Sequence, residues 1–198
     1  MAYDRRLAIF SAGFFWDRVS HDGRVAMKGG YPSTINGVTL TPGLPLSELG
    51  PNPSEEDCTH FISCCIGESK CTIKVGNQNI TIKGGGLKIS SPFKNAKVYG
   101  QTYVPRLVGE LYSSKQARII WPQFLVANNA TTREKILQNL QAGDLLAYAS
   151  KPDPNHYEHM AILVGPDTIA CHTRSRLGQD YTVIRSHPWV TLLKLPPP

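Results

Sequence analysis

The sequence predicts an α+β fold, with helices early in the chain and an antiparallel sheet towards its end. Apolar residues recur at helical spacing from Cys58 onwards, whereas short apolar segments separated by turn residues follow Gly143. With 198 residues and 41% hydrophobic content, the chain can bury a core of its own. We therefore expect one domain over residues 1–198, with an inserted lobe at about 71–124.

The composition limits the classes of partner. The formal net charge is +6 and the pI is near 9.1, but the basic residues are spread thinly and form no long run. This pattern gives no signature of specific nucleic-acid binding, and no apolar run approaches the roughly 20 residues that a membrane-spanning helix needs. A basic surface also suits a non-catalytic module that holds an anionic polymer, which stays open as an alternative to an enzyme.

The first helix is predicted over the apolar stretch at residues 7–16. This stretch resembles the hydrophobic part of a signal peptide, but Asp17 and Arg18 stand where a cleavage site would have small residues. We expect no signal peptide, and hence a cytoplasmic protein or one exported by a non-classical route. A long loop rich in Pro, Gly, Ser and Thr then covers residues 31–53, with one short strand from Val38 to Leu40.

The predicted helix around Cys58 carries a candidate nucleophile. Cys58 is followed, at the spacing of one helix face, by four apolar residues: Phe61, Ile62, Cys65 and Ile66. Ser54 and Asp57 have the three-residue spacing of a capping box, so the helix should begin close to Cys58. A thiol at a helix start lies at the positive end of the helix dipole, which favours the nucleophilic thiolate.

A structural role for the same cysteine is the competing interpretation. Free cysteines are commonly buried as small hydrophobic residues, and the acidic residues 55–57 oppose ionisation of the thiol. The five cysteines are odd in number and lack the spacing of a disulfide framework, which favours a reducing environment. Cys64 and Cys65 are expected to be packing residues, and His60 is expected to face solvent.

After residue 70 the helical spacing of apolar residues gives way to the alternation that is typical of strands. Residues 71–75 and 79–83 alternate apolar and polar side chains around a turn, which predicts a β-hairpin. Short strands are expected around residues 98–104 and 118–120. A second capping box, at residues 131–134, predicts a short helix whose buried face carries Ile136, Leu137 and Leu140.

Four consecutive strands of an antiparallel sheet are predicted at residues 145–149, 159–164, 169–173 and 181–184. A turn over residues 165–168 would pair positions that sum to about 333, so that His159 faces a residue near 174 and lies diagonally close to His172. The two imidazoles are therefore expected to be neighbours.

A cysteine, a histidine and a third polar group are the usual parts of a thiol-based amide hydrolase. The thiol needs a base that takes its proton and later gives it to the leaving amine, and the base works best when a third group orients it. We assign Cys58 as the nucleophile, His159 as base and acid, and His172 as the group that orients His159. The backbone N–H of Cys58 is a candidate donor to the oxyanion.

A zinc site is an alternative for the same side chains. The ion would be bound by His156, His159 and His172, with Cys58 or Cys171 as the fourth ligand. No closely spaced ligand pair of the kind found in zinc motifs is present, so we expect neither a metal nor another cofactor. An acyl transferase, in which an amine rather than water accepts the acyl group, would use the same residues as the hydrolase and also stays open.

Several short motifs occur in a fixed order: Tyr3-x-Arg5-x-x-Ala8, Asp57-Cys58-Thr59-x-Phe61-x-Ser63, Gly143-Asp144, the segment 159–164, and His172-Thr173-x-x-Arg176-Leu177. This set resembles the Putative amidase domain family, which is similar to the NlpC-type and papain-like cysteine hydrolases. The resemblance implies a papain-like core, in which a cysteine at a helix start faces an antiparallel sheet bearing a histidine and a third polar residue. Cys58, His159 and His172 stand at the matching positions.

The resemblance also implies a substrate. NlpC-type enzymes hydrolyse amide bonds in bacterial cell-wall peptides, so a peptidoglycan peptide is the expected substrate, and Asp57 is expected to bind its amino group. A phage lytic enzyme and a toxin delivered by a secretion machine both fit such an amidase. A toxin would have an inhibitor or immunity protein as a further partner.

Overall fold

The computed structural model describes residues 2–27, 30–50, 57–91, 99–172 and 175–197, and it has the expected α+β architecture. The described residues form the helices α1 (Arg5–Phe15), α2 (Cys58–Ile66), α3 (Val104–Ser113) and α4 (Ala130–Asn139). The strands are β1 (Thr34–Ile35), β2 (Val38–Thr39), β3 (Lys70–Val75), β4 (Gln78–Lys83), β5 (Arg118–Val126), β6 (Leu145–Ala149), β7 (Tyr157–Leu163), β8 (Thr168–Cys171), β9 (Arg176–Asp180) and β10 (Trp189–Lys194). None of the described helices has the length and apolar content to cross a membrane.

Six antiparallel strands form the main sheet in the order β5-β10-β6-β7-β8-β9. The predicted strands that correspond to β6, β7 and β8 are confirmed. The fourth predicted strand, at 181–184, is wrong, because Asp180 accepts a hydrogen bond from the Thr182 N–H and starts a 3₁₀ turn there. Strand β9 lies before this turn. Strand β10 is absent from the sequence-based expectation, and it pairs between β5 and β6.

The hairpin between β7 and β8 differs from the predicted register by one residue. Ile162 pairs with Ala170 and Leu163 pairs with Ile169, so paired positions sum to 332. A slip of one residue moves a side chain to the other face of a sheet. His172 therefore projects from the opposite face to His159, and the expectation that the two imidazoles are neighbours is wrong.

Helices cover both faces of the main sheet. The face that carries Ala147 and Met160 packs in one core cluster with residues of α1, α2 and α3, and we call it the α2 face. The face that carries Tyr148 and Ala161 packs in a second cluster with Ile136 of α4, and we call it the α4 face. The sheet is therefore the middle layer of the domain, with α2 lying against β7 and β8.

The strand expected at residues 98–104 is wrong, because residues 99–103 form no strand and helix α3 begins at Val104; residue 98 lies outside the described residues. The buried residues of α3 have the spacing of a helix face: Val104, Leu107, Val108 and Leu111. Pro105 and Gly109 obscure this pattern, although a proline in the first helical turn loses no hydrogen bond. The strand predicted at 118–120 is confirmed as the start of β5, which continues past Pro122 because an edge strand tolerates proline.

Helix α4 confirms the predicted short helix but not its details. The residue that caps its start is Asn129, whose side chain accepts a hydrogen bond from the Thr131 N–H, in place of the predicted capping box at 131–134. Ile136 and Leu140 are buried as expected, whereas Leu137 is 52% exposed.

The predicted hairpin at residues 71–83 is confirmed as β3 and β4, which form a two-stranded sheet of their own. From the remainder of the range 71–124, α3 and the start of β5 pack in or against the larger core. The division into one domain and an inserted lobe stays a prediction.

Two glycines after β4 close the C-terminal end of α2. The Gly85 N–H donates to the carbonyl of Cys65 at 2.8 Å, which satisfies an acceptor that the helix end leaves unpaired. A Cβ on Gly84 would stand 2.4 Å from the carbonyl oxygen of Cys64, and one on Gly85 would stand 2.3 Å from the Tyr3 ring. Only glycine fits this close approach.

A buried ion pair joins α1 to the sheet. Arg5 Nη1 donates to Asp144 Oδ1 at 2.7 Å, and Arg5 Nη2 donates to the Leu195 carbonyl at 2.7 Å. The Leu195 N–H in turn donates to Asp144 Oδ1 at 2.8 Å, and the Tyr3 hydroxyl donates to the Gly143 carbonyl at 2.7 Å. The Tyr-x-Arg and Gly-Asp motifs of the sequence thus form one structural cluster.

Replacing Arg5 with alanine should lower the free energy of unfolding by about 3–5 kcal/mol, because the buried Asp144 would lose its charged partner. Urea unfolding measures the change. Arg6→Ala is the matched control, since Arg6 is the next residue but is exposed, and it should change stability by less than about 0.5 kcal/mol. Equal stability of the two variants would contradict the role of the ion pair.

Candidate active site

Helix α2 begins at Cys58, as predicted, and is buried along its whole length. All nine of its residues are buried, including those on the side opposite the predicted apolar face. The expectation that His60 faces solvent is therefore wrong. Asp22, from the segment after α1, and the ring of Tyr31 contact the imidazole and exclude water from it.

Asp57, directly before α2, is the centre of a buried network. Its Oδ1 accepts a hydrogen bond from the Ala26 N–H at 2.6 Å and lies 2.8 Å from His60 Nδ1. Its Oδ2 lies 2.5 Å from His172 Nδ1. The side chain makes no capping bond to its own helix, and Ser54 of the predicted capping box lies outside the described residues. Asp57 instead connects the loop at Ala26, helix α2 and the end of β8.

These contacts define what Asp57 can do. Burial raises the pKa of its carboxyl group, whereas the neighbouring imidazoles of His60 and His172 lower it. The effect of the imidazoles is the larger one, so the net shift of the pKa is downward. The ionised group has no exposed surface, and both oxygens already bind donors of the protein. In this structure Asp57 positions its neighbours. The expected contact with a substrate amino group stays a prediction.

The Cys58 thiol lies at the edge of β7 that faces β8. The Met160 N–H forms a hydrogen bond to this sulfur, and Thr59 Oγ1 lies 3.8 Å from it. Among the described residues, β7 pairs with β8 only at Ile162 and Leu163, so the Met160 N–H is available to a group other than a strand. The sulfur therefore lies at the strand edge, beside the residue that follows His159.

The environment of Cys58 does not favour a resting thiolate. Burial raises the pKa of the thiol, and hydrogen bonds from Met160 and Thr59 offset this only in part. The expectation of a thiolate favoured by the helix start is wrong for this structure, because desolvation outweighs a helix-dipole effect of about 0.3–1 kcal/mol. Cys58 is 4% exposed, and its resting form is the neutral thiol.

His159 projects from the α4 face of β7, away from the core that contains Cys58. It pairs with Tyr148, and the two ring centroids are 6.1 Å apart. Its Nε2 is buried and has no hydrogen-bond partner within the described part of the chain. Burial lowers the pKa of His159 to about 3, and electrostatic interactions with His187 and Arg176 contribute to this shift. The imidazole is therefore neutral near pH 7.

His172 occupies the α2 face and forms no hydrogen bond with His159 within the described residues. Its Nε2 donates to the Phe15 carbonyl at 2.6 Å, and its ring stacks on Phe61 with centroids 4.2 Å apart. Since Asp57 takes the other ring nitrogen, neither nitrogen is left for His159. The expected orienting bond is absent here because of the one-residue difference in the β7–β8 register.

His187 is a further side chain beside His159. The two imidazole centroids are 6.4 Å apart, and His187 Nε2 lies 3.8 Å from Glu158 Oε2. His156 lies 3.5 Å from the other oxygen of the same carboxylate. His187 lies two residues before β10, and its place next to β7 depends on the non-local pairing of that strand. No local pattern in the sequence indicates it.

The predicted zinc ligands are not brought together. His172 has both ring nitrogens engaged, and His159 lies on the other face of the sheet. All five cysteines are free thiols. The described residues contain one group of potential metal ligands, which is a different set: Asp22, His60 and Cys64.

The comparisons with known proteins identify the family. The profile of the Putative amidase domain matches residues 48–193, a segment that includes α2 and, apart from the last residue of β10, all six strands of the main sheet. The chain belongs to this family. Its class of activity is amide hydrolysis in general, and Cys58, His159 and His172 all lie inside the matched segment. No curated protein and no solved structure matches the chain.

Stability should fall as the pH decreases from about 7 to about 5, and His159 should account for about 2 kcal/mol of the loss. Burial lowers the pKa of folded His159 to about 3, whereas the unfolded chain takes up a proton near pH 6.5. The unfolded state thus binds more protons, and acid favours it. His159→Gln should remove that part of the pH dependence, as measured by urea unfolding at the two pH values.

The control for this experiment is His156→Gln, because His156 is 44% exposed. Its pH dependence should equal that of the wild type. A His159→Gln variant that keeps the full wild-type pH dependence would contradict a buried, neutral His159.

Proposed function

We propose that this chain is a cysteine-dependent amide hydrolase with a papain-like core of NlpC type, and that it cleaves peptides of peptidoglycan. Cys58 is the nucleophile and His159 is the base. The observation that carries the proposal is the position of Cys58, which is the first residue of a buried helix and whose thiol contacts β7 next to His159. The packing of this helix on an antiparallel sheet supports the papain-like assignment.

The position of the sulfur at a strand edge allows it to meet His159. Because the Met160 N–H points outward in the plane of the sheet, the sulfur that it contacts lies at the edge of β7 rather than over the middle of one face. The His159 Nε2 has no partner that holds the ring in its resting place. Catalytic hydrogen bonds in unliganded enzymes are often long and tighten only when substrate binds. Rotation of the imidazole towards the edge is the step that completes the pair.

The reaction then needs only groups of this chain and water. Neutral His159 accepts the thiol proton as the Cys58 sulfur bonds to the amide carbon. The imidazolium returns the proton to the amine as the C–N bond breaks, which leaves a thioester on Cys58. Water, deprotonated by the same imidazole, attacks the thioester, and the C–S bond breaks to release the acid. The imidazolium then returns its proton to the Cys58 sulfur. The Cys58 N–H at the first position of α2 has no helical acceptor, which supports its role as an oxyanion donor.

Asp57 and His172 are positioning residues in this proposal. Their contact holds the start of α2 against the end of β8, and His172 continues it to the Phe15 carbonyl at the end of α1. Three elements are thereby held around Cys58. Neither residue is given a contact with substrate.

The choice of substrate is supported by two further observations. The family acts on amide bonds. The motifs around Cys58 and His172 resemble this family, which is similar to the NlpC-type enzymes that act on cell-wall peptides. The net charge of +6 favours approach to the anionic polymers of a cell wall. An inhibitor or immunity protein stays a prediction.

Wild-type protein should release new amino groups from purified peptidoglycan peptides, and Cys58→Ser should reduce the rate by about 10³-fold or more, because the nucleophile is lost. Amino-group labelling gives the rate, and the masses of the products identify the bond. Cys71→Ser is the matched control, since Cys71 is a free, partly buried thiol on the β3–β4 hairpin, and it should retain the wild-type rate.

His159→Ala should reduce the same rate by about 10²–10⁴-fold. Release by Cys58→Ser at the wild-type rate would overturn the assignment of the nucleophile. If the wild-type protein releases no amino groups from these peptides, the proposed substrate is wrong.

A further inference from the structure

A second group of reactive side chains lies on the side of α2 away from the sheet. His60 and Cys64 are one helical turn apart and therefore project in the same direction. Asp22 reaches them from the segment after α1. His60 Nε2 lies 2.9 Å from Asp22 Oδ2 and 3.7 Å from Cys64 Sγ, and ligand atoms of all three lie within 4.8 Å of one another.

These separations are close to those in a tetrahedral zinc site. With metal bonds of about 2.0 Å to nitrogen or oxygen and about 2.3 Å to sulfur, nitrogen and sulfur ligands stand about 3.6 Å apart, and nitrogen and oxygen ligands about 3.3 Å apart. The 3.7 Å and 2.9 Å seen around His60 Nε2 differ from these values by a few tenths of an ångström. The third separation, between the ligand atoms of Asp22 and Cys64, is at most 4.8 Å.

The surroundings provide the outer contacts that metal ligands require. A zinc-bound histidine commonly donates its other ring N–H to a carboxylate, which fixes the tautomer and the ring orientation. His60 Nδ1 lies 2.8 Å from Asp57 Oδ1 and is held in this way. Asp22 is also fixed, because its carboxylate accepts hydrogen bonds from the N–H groups of Arg24 and Tyr99, at 3.1 and 2.8 Å.

Burial and charge also suit a divalent cation. His60 and Cys64 are at most 1% exposed, and the Asp22 side chain is 9% exposed, so the group lies just below the surface. A thiolate and a carboxylate together balance the charge of a divalent ion, which removes the penalty for an unpaired buried charge. Thiolate and imidazole ligands favour zinc over magnesium or calcium.

The geometry points to a zinc-binding site formed by Asp22, His60 and Cys64. The three residues supply one oxygen, one nitrogen and one sulfur, and a water molecule takes the fourth position. Binding displaces the proton of the thiol and the proton shared by His60 Nε2 and Asp22, as metal binding generally does. The site is separate from Cys58 and does not depend on the proposed amide hydrolysis. It differs from the expectation, from the sequence, that the protein binds no metal.

Titration with Co²⁺ tests the site without an activity assay. Metal-free protein, prepared by dialysis against a chelator, should bind one Co²⁺ per chain with the charge-transfer absorption of a cobalt–thiolate bond, and Zn²⁺ should abolish the absorption. Cys64→Ser should lose this band. Asp22→Asn, which changes the partly exposed ligand, should weaken binding by about 100-fold or more.

Cys65→Ser is the matched control, because Cys65 is the next residue on the helix, equally buried, but packs in the core of the α2 face. It should bind Co²⁺ with the wild-type band and affinity, and circular dichroism verifies that each variant is folded. Zn²⁺ should raise the melting temperature of the wild type and of Cys65→Ser but not that of folded Asp22→Asn. Absence of the band in the wild type, or its persistence in Cys64→Ser, would overturn the proposal.

Discussion

The buried carboxylate of Asp57 is the interaction on which the rest of the site depends. An unpaired charge in a protein interior is strongly unfavourable, and this one is compensated by the Ala26 N–H and by the imidazoles of His60 and His172. The donors come from a loop, from α2 and from the end of β8. Because the group must keep these donors to remain ionised, the three elements are held in one arrangement around the start of α2.

The contacts of Asp57 continue into two networks on opposite sides of α2. Through His172 the network reaches the Phe15 carbonyl at the end of α1, so the first helix is connected to the sheet on the side of Cys58. Through His60 it reaches Asp22 and Cys64 on the other side of α2. One carboxylate therefore supports both the candidate nucleophile and the candidate zinc site, although their chemistry is separate.

In the resting site, the Cys58 thiol and the His159 imidazole are both buried and uncharged. Burial raises the pKa of the Cys58 thiol and lowers that of His159, so neither group is charged near pH 7. Such a site limits reaction of the thiol with solvent oxidants, since the thiolate is the reactive form. It also means that activation must accompany substrate binding, when the imidazole meets the sulfur at the edge of β7.

Features set by local spacing could be predicted from the sequence, whereas features set by distant contacts could not. The start of α2 follows from the apolar residues after Cys58, and the β3–β4 hairpin follows from alternation around its turn. The sequence also contains Asp57 and His60 at a three-residue spacing that indicates their contact. The burial of His60, however, depends on Asp22 and on a loop that local patterns do not position.

The face of the sheet from which each histidine projects was harder to predict from the sequence than the elements themselves. A difference of one residue in the β7–β8 hairpin separates His159 from His172, and turn residues alone do not specify the register to that accuracy. The central place of β10 depends on pairing with β5 and β6, neither of which is its neighbour in the chain. His187 was missed for the same reason.

A double-mutant cycle between Asp57 and His172 tests the central claim most directly. The free energy of unfolding would be measured for the wild type, Asp57→Asn, His172→Gln and the double variant, by urea unfolding at pH 7. If the buried contact holds the site together, the two losses should be non-additive by about 2 kcal/mol or more. Losses that add to within about 0.5 kcal/mol would show that the two residues act independently, and would contradict the role given to Asp57.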